Sequence, residues 1–292
     1  MASYTKYKNY WDSGWSLWVW PEKWNDNLWS VICQQIESQL PSKHPQTNEI
    51  QLPGSTEVLF LKSFHRVSPA ATLKDLFRLS KALRGLKMGA LLDDLGFNVA
   101  AAIAAGERRR WGVLERSFLL TSAVAGSPMP VFLRERYGVK KADIPLRKKW
   151  HALRRLALEI RRLHELGFVH GDLVPSNILV GNVQDGEYPF FFLDHDRTRR
   201  YPKWFPQSLW KRNLVQLNRF PLAGISLQDR MRFFHSYLGR EDCGKGDRRL
   251  VEWLEEKTRK RRRECDAVDV SGSFRKLMHW DDAAVQGSRF KA

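Results

Sequence analysis

Apolar side chains recur along this chain at two different spacings, and each spacing predicts a different kind of element. The run Glu57–Phe64 follows a Pro-Gly turn signal and is short and apolar, which is typical of a strand. Trp111–Ser122 alternates loosely between apolar and polar residues, as strands do. Over Thr72–Leu95 leucines recur at helical spacing, and Gly96 follows where the C-cap of a helix is expected.

The second half of the chain has mainly helical periodicity. A long amphipathic helix is predicted from an apolar stripe, and a loop at 167–177 follows it. Residues 178–180 and 190–193 are then expected to pair as a hairpin across a turn at 184–189, and 209–238 is helical again. The stripe consists of Leu146, Trp150, Leu153, Ala157, Ile160 and Leu163.

The start of the chain is rich in tryptophan. Residues 1–46 hold half of the 12 tryptophans: Trp11, Trp15, Trp18, Trp20, Trp24 and Trp29. Because exposing tryptophan is costly, this segment is expected either to pack on the main body as a capping extension or to lie in a membrane interface. Glycine and proline at 123–130 predict a linker or hinge.

Composition narrows the class of protein. With 292 residues and 43% hydrophobic residues the chain is not a disordered polycation, and it is long enough for one large domain or two lobes. Its three cysteines, Cys33, Cys243 and Cys265, are too scattered for a disulfide framework or a zinc site, which fits a reducing compartment. The start has no signal-peptide pattern, and the longest low-charge stretch, 95–106, is too short to span a bilayer.

Positive charge is concentrated in three regions. The net charge is +17, from 49 basic and 32 acidic residues. Arg134–Arg162 has a net charge of +8, Arg197–Arg212 of +6 and Arg248–Arg263 of +5. This distribution predicts an anionic partner: nucleic acid, a membrane surface or a phosphorylated substrate.

One polar constellation carries candidate chemistry. Asp172 lies in His-Gly-Asp, Asn177 follows five residues later, and Asp194 ends the second strand of the predicted hairpin. Carboxylate and amide oxygens are hard ligands that suit Mg²⁺ and not zinc. Phosphoryl transfer needs one carboxylate as proton acceptor, and an amide and a second carboxylate to hold the metal that bridges nucleotide phosphates. His170 is expected to pack the loop.

A strand lysine completes this pattern. Lys62 lies inside the strand predicted at 57–64, is followed by a helix, and precedes Asp172 by 110 residues. In phosphoryl transfer such a lysine pairs with the α- and β-phosphates. Asp196 is either a further acid of the same site or a solvated side chain.

These motifs resemble the lipopolysaccharide kinases, which phosphorylate Kdo or heptose of the lipopolysaccharide inner core. The resemblance rests on His-Gly-Asp-Leu-x-x-x-Asn at 170–177, on Asp194-His-Asp196-Arg197, and on the segments 211–220 and 229–238. A eukaryotic-type protein kinase would have Asp-Phe-Gly at Asp194. The resemblance covers roughly residues 57 to 240.

The resemblance implies a two-lobed protein-kinase-like fold of the α+β class. It divides the chain into a Trp-rich extension (1–46), a small, mostly β N-lobe with one helix (47–122), a hinge against the adenine (123–126), a helical C-lobe (127–240) and a basic tail (241–292). The boundaries are predictions from the sequence.

The resemblance also assigns roles and partners. Lys62 would orient ATP, Asp172 would be the catalytic base, and Asn177 and Asp194 would bind Mg²⁺, with Asp196 as a further acid of the metal site. The family acts in the cytoplasm at the inner face of the inner membrane, on a lipid-anchored sugar. Two basic regions flank the site loop, which favours this acceptor and the anionic membrane surface over nucleic acid. No obligate protein partner is evident.

Two departures from the kinase pattern keep alternatives open. Gly54 is the only glycine between residues 15 and 84, so the phosphate-covering loop is expected around 52–56 without a glycine-rich motif. The aligned position for the helix acid that pairs with the lysine holds Gly85, with Asp75 and Asp93 as substitutes. The alternatives are another kinase of this fold, aminoglycoside-phosphotransferase-like or Bud32-like, and a catalytically silent pseudokinase that binds a membrane or nucleic acid.

Overall fold

The computed structural model describes residues 6–42, 44–52, 55–65, 78–137, 146–183, 187–202, 204, 208–220, 222, 224–240 and 244–267. The chain forms two compact units. The first comprises Met1–Ala125 with Phe191–Thr198, and the second comprises Gly126–Phe190 with Arg199–Ala292. The domain boundaries given above stay predictions.

The first unit is built on an antiparallel sheet in the order β1-β2-β5-β6-β4-β3. The strands are β1 (Lys8–Asp12), β2 (Trp15–Val19), β3 (Gln46–Gln51), β4 (Val58–His65), β5 (Ala102–Arg110) and β6 (Val113–Ser122). The strands predicted at 57–64 and 111–122 are thus present. Strand β5 was not predicted, because its buried half is alanine- and glycine-rich and has no alternating pattern.

Two helices pack on the sheet, one on each face. Helix α1 (Asp26–Ser38) buries Leu28 and Ile32 against one cluster of strand residues, and helix α2 (Lys81–Asp94) buries Leu86 against another. Ser80 caps α2 by accepting a hydrogen bond from the Leu83 amide at 3.1 Å. Gly96 takes the left-handed conformation (φ 74°) just after the helix, as the sequence predicts. The helix is predicted from Thr72 but begins at Lys81, because Ser80 caps it; residues 78–80 are not helical, and 72–77 lie outside the described residues.

The tryptophan-rich start belongs to this sheet. Strands β1 and β2 join through Ser13 and Gly14, both with positive φ, which is the geometry of a tight type I′ hairpin. Trp15 and Trp29 are buried, with ring centroids 6.1 Å apart in an edge-to-face arrangement. Trp11 is exposed. The segment therefore packs on the body of the first unit, as the first of its two alternatives predicts.

The second unit is mainly helical. Its helices are α3 (Met129–Tyr137), α4 (Leu146–Glu165), α5 (Ser208–Leu217), α6 (Leu227–Leu238) and α7 (Lys245–Ala267). Short strands connect them: β7 (Gly126–Pro128), β8 (Phe168–Val169), β9 (Ile178–Gly181), β10 (Phe190–Phe192, which continues into the first unit) and β11 (Arg199–Arg200). β7 pairs with β9, and β8 pairs with β11. Part of the predicted linker at 123–130 is therefore strand and helix.

Helix α4 is the amphipathic helix that the stripe predicts, and α6 packs against it. A buried ion pair joins the two, since Lys149 Nζ lies 2.7 Å from Asp229 Oδ2. Asp229 also closes a capping box with Ser226 at the start of α6. Helix α7 begins the predicted basic tail and is tied to the end of α5, because Arg262 donates hydrogen bonds to the carbonyls of Asn218 and Arg219. Residues 268–292 lie outside the described residues.

A search of the described helices finds none long and apolar enough to cross a membrane.

Candidate functional site

Lys62 lies in β4, a strand flanked by neighbours on both sides, and its ammonium group meets two carboxylates. Its Nζ is 2.5 Å from Asp194 Oδ1 and 3.8 Å from Asp196 Oδ2. Asp194 and Asp196 come from a turn far away in the sequence. The structure therefore brings together three of the predicted site residues within the first unit.

The turn that carries both acids has an unusual backbone at its first residue. Asp194 has φ 64° and ψ 62°, the left-handed region that residues other than glycine rarely adopt. A short 3₁₀ turn, His195–Arg197, follows it. Upstream, the Phe192 amide donates to the Asn98 carbonyl at 3.0 Å and anchors the strand. Left-handed non-glycine residues cluster at functional sites, where the surrounding structure enforces them.

His195 fastens this turn as a neutral imidazole. It is buried, its Nε2 donates to the Phe192 carbonyl at 2.9 Å, and its Nδ1 accepts from the Thr198 hydroxyl at 3.2 Å. Burial lowers the pKa of His195 to about 4. The side chain thus stays uncharged at neutral pH and serves the geometry of the turn.

Asp196 is buried beneath the turn, so the alternative that it is a solvated acid is wrong. Its side chain is 6% exposed, against 29% for Asp194. Burial raises the pKa of Asp196, the Asp194 charge raises it further, and the cations of Lys62, Lys81 and Arg197 oppose that rise. The Asp196 carboxylate has therefore lost most of its contact with water, and three cations partly compensate for that loss.

The loop that carries Asp172 and Asn177 belongs to the second unit. It follows β8 and ends in a 3₁₀ turn, Pro175–Asn177. Asn177 Nδ2 donates to the Asp172 carbonyl at 2.9 Å, which fixes the distance between the two residues along the loop. Because the amide nitrogen is used in this way, the side-chain oxygen of Asn177 is the atom suited to bind a metal.

Two carboxamides of α5 hold this loop in place. Asn213 Oδ1 accepts from the His170 amide at 3.0 Å. Gln216 bonds both sides of Asp172: its Oε1 accepts from the Leu173 amide at 3.1 Å, and its Nε2 donates to the Gly171 carbonyl at 2.9 Å. Asn213 Nδ2 also donates to Gln216 Oε1 at 3.1 Å, so the two side chains act as one clamp.

A buried histidine supports the clamp from behind. His164, in α4, donates through Nε2 to Asn213 Oδ1 at 3.1 Å and accepts through Nδ1 from the Tyr237 hydroxyl at 2.8 Å. Burial lowers the pKa of His164 to about 4, so the ring is neutral near pH 7. His170 is fully buried, in agreement with its predicted packing role.

The sequence does not predict the clamp. Asn213 and Gln216 lie in segment 211–220, which carries part of the resemblance, but the resemblance gives them no role. The available signal is the spacing of Asn213 and Gln216, three positions apart and so on one face of α5, because a buried amide needs a specific partner.

The remaining candidates fall outside this arrangement. Asp93, one of the two substitutes for the missing helix acid, pairs with Lys6 at 3.3 Å. Asp75, the other substitute, and residues 53–54 of the predicted phosphate loop lie outside the described residues. Among the residues that the structure describes, no group of three His, Cys, Asp or Glu side chains is arranged to hold a metal by itself.

Comparison with known proteins places this arrangement in context. The family model of the lipopolysaccharide kinase (Kdo/WaaP) family matches residues 73–237. A solved structure of WaaP in complex with acyl carrier protein is 20% identical, with a TM-score of 0.59 over 78% of this chain and 91% of that chain. The kinase domain of PknI from Mycobacterium tuberculosis is 17% identical over 84% of this chain and 80% of that chain, with a TM-score of 0.38.

No curated protein sequence matches the chain significantly. The likeness to the WaaP structure is one of fold, and it confirms the two-lobed, kinase-like α+β class.

Proposed function

The chain belongs to the lipopolysaccharide kinase (Kdo/WaaP) family and is therefore a kinase-type phosphotransferase, and on that premise we propose that it transfers the γ-phosphate of ATP to Kdo or heptose of the lipopolysaccharide inner core. The observation that carries the proposal is the contact of Lys62 with Asp194 at 2.5 Å across 132 residues of sequence. A strand lysine and a strand-end acid held together in this way are the pair that nucleotide phosphates and their metal require.

Each residue has a distinct task in this reaction. Asp172 accepts the proton of the attacking sugar hydroxyl, and its loop is ordered by the clamp of Asn213 and Gln216. Lys62 binds the α- and β-phosphates and orients the nucleotide. Magnesium, when bound, neutralises charge that builds up on the phosphates during transfer.

The donor set fits magnesium in kind. Asp194 is the more exposed of the two turn acids, and Asn177 keeps its side-chain oxygen for a ligand because its nitrogen bonds the loop. Carboxylate and amide oxygens are ligands that Mg²⁺ accepts, usually together with substrate phosphates and water. Asp196, which was also predicted at the metal, is nearly excluded from solvent and suits a different role.

The proposed kinase activity is tested with labelled ATP, Mg²⁺ and two acceptors, Kdo–lipid A and a heptosylated core. We expect transfer to one of them, at least 100-fold above an Asp172→Ala control that removes the base. Transfer to neither acceptor, with transfer to another small molecule or protein, would favour a different kinase of this fold. Binding of MgATP with no transfer to any acceptor would favour the pseudokinase.

The setting of the reaction follows from charge. We propose that the protein works in the cytoplasm, peripherally at the inner face of the inner membrane, where anionic lipid and the phosphates and carboxylates of the acceptor meet its basic regions. Activity on lipid-anchored acceptor should then fall steeply between about 50 and 500 mM salt. The reason is that the Debye length shortens over this range and screens the attraction between the basic regions and the membrane. Activity on a delipidated acceptor should fall less.

The similar WaaP structure suggests a protein partner for this chain. The solved WaaP structure contains acyl carrier protein, and the prediction that no obligate protein partner is evident does not fit that protein. We propose that this chain also binds a carrier protein, through exposed cations on α7 such as Lys260, Arg261 and Arg263. Co-purification with acyl carrier protein that is lost on changing these three residues to glutamate, and kept on changing Glu255 and Glu256 to lysine, would support it.

A further inference from the structure

The ammonium group of Lys62 sits between a carboxylate that is open to ligands and one that is closed to them. Asp194 lies 2.5 Å away with 29% of its side chain exposed, and Asp196 lies 3.8 Å away with 6% exposed. We propose that Asp196 is the fixed counter-ion that positions Lys62, and that it replaces the helix acid whose place Gly85 occupies. This inference rests on the proposed function, since it assigns Lys62 to the nucleotide phosphates.

The need for a second carboxylate follows from the chemistry at Asp194. A carboxylate that takes Mg²⁺ with the nucleotide can no longer be the sole partner of the lysine. Lys62 would then have to be held by another anion while its ammonium reaches the phosphates. Asp196 meets that requirement because it is too buried to exchange its partner for water or metal.

The packing of α2 explains why the acid is not on the helix. A Cβ atom added at Gly85 would lie 2.9 Å from Leu119 Cδ2, and 3.8 and 3.9 Å from the amide nitrogen and Cα of Asp196. One turn further on, a Cβ at Gly89 would lie 3.9 Å from His195 Cδ2. The turn therefore packs directly on the two glycines, and a glutamate at 85 would have to fit against Leu119 and the backbone of Asp196.

The charges around Asp196 agree with this role. Lys62, Lys81 and Arg197 act on its carboxylate as cations, and Asp194 is the one acid among the charges that act on it. Among the described residues, Asp196 Oδ1 is buried with no hydrogen-bond partner, so no neutral donor satisfies this oxygen. Asp93, the remaining described candidate for the helix acid, pairs with Lys6.

The test separates a lysine counter-ion from a metal ligand. MgATP and adenosine binding are measured on the full chain for the wild type, Asp196→Asn and Asp194→Asn, along with the Mg²⁺ concentration that half-saturates ATP binding. For Asp196→Asn we expect MgATP affinity to fall about 10- to 100-fold, as for loss of a partly buried ion pair, with adenosine affinity and the Mg²⁺ half-saturation unchanged. Asp194→Asn should raise the Mg²⁺ half-saturation.

A swap keeps the test independent of folding defects. Asp196→Ala is combined with Gly85→Glu, which returns a carboxylate to the helix. The close contact of its Cβ is with Leu119 Cδ2, at the end of a flexible side chain that can shift. Recovery of MgATP affinity by at least 5-fold over Asp196→Ala alone would support a counter-ion role that only a carboxylate can fill.

Three results would overturn the inference, and they differ from failure of the proposed function. MgATP affinity of Asp196→Asn within 2-fold of wild type would do so, as would a Mg²⁺ half-saturation that rises as in Asp194→Asn. No recovery in the swap, in a protein whose melting temperature matches the wild type, would also count against it. A wild-type chain that binds no MgATP would instead refute the proposed function, and with it this inference.

Discussion

Replacing Gln216 by alanine removes the side chain that bonds the loop on both sides of Asp172, the proposed base. Two hydrogen bonds to the loop backbone are lost, from the Leu173 amide at 3.1 Å and to the Gly171 carbonyl at 2.9 Å. A third, from Asn213, is lost within the clamp. Leu173 is fully buried, so water cannot easily replace the acceptor that its amide loses.

The magnitude follows from these contacts. Each loop bond contributes about 1 kcal/mol net, and a buried amide left without its acceptor costs about 1–3 kcal/mol more. The total loss of about 3–5 kcal/mol is confined to contacts of one short loop. We therefore expect it to disorder the loop and not to unfold the whole protein. If each turnover must restore that order, kcat falls about 100- to 5000-fold, while MgATP binding at the proposed nucleotide site of Lys62 and Asp194 changes little.

The assay combines turnover with hydrogen exchange. We expect faster amide exchange at 170–173 in Gln216→Ala and no change in β4, with the exposed Arg212→Ala on the same helix as the matched control. Gln216→Glu keeps the acceptor for Leu173 but loses the donor to Gly171, so it should fall between the two. A Gln216→Ala enzyme with kcat within 3-fold of wild type and unchanged exchange at 170–173 would refute this reasoning.

Further consequences can be measured on stability and acid dependence. Because the pKa of His164 is lowered to about 4 in the folded state, its contribution to stability is complete above its unfolded pKa of about 6.5 and is lost as pH falls towards 4. We expect about 2 kcal/mol of this contribution to be gone at pH 5. In urea denaturation, His164→Gln should therefore lose less stability than the wild type between pH 7 and 5, while the similarly lowered pKa of His195 keeps some of the slope. Lys149→Met leaves the Asp229 carboxylate buried without its cation and should cost about 3 kcal/mol in urea denaturation, whereas loss of under 1 kcal/mol would show that the Ser226 capping bonds suffice. Asp194→Ala should lower the melting temperature more than Asp194→Asn, because asparagine tolerates the left-handed backbone at φ 64°, and equal melting temperatures would contradict a strained turn.

The sequence predicts most of what depends on local pattern. The spacing of apolar residues predicts the strand that carries Lys62, the helix that follows it and the amphipathic α4. The sequence also places Asp172 before the predicted hairpin and Asp194 at its end. The sequence does not predict strand β5. Its side chains that face α2 are small because the helix packs closely there, and alanine and glycine have low strand propensity.

Contacts between distant parts of the chain are the part that pattern does not predict. The bonds from Asn213 and Gln216 end on backbone atoms of residues 170, 171 and 173, so no complementary side chain marks them in the sequence. The burial of Asp196 depends in the same way on the approach of its turn to Gly85 and Gly89. In the sequence alone, Gly85 indicates only that an expected acid is missing.

Two energetically unfavourable features of the structure help to distinguish a working kinase from a catalytically silent binding module. A left-handed Asp194 costs about 1 kcal/mol or more, and a buried Asp196 carboxylate loses hydration that three neighbouring cations only partly replace. A module that binds a membrane or nucleic acid through exposed cations requires neither feature. Both costs lie at Lys62, which the proposed reaction places at the nucleotide phosphates, so they favour the proposed kinase over a module that only binds.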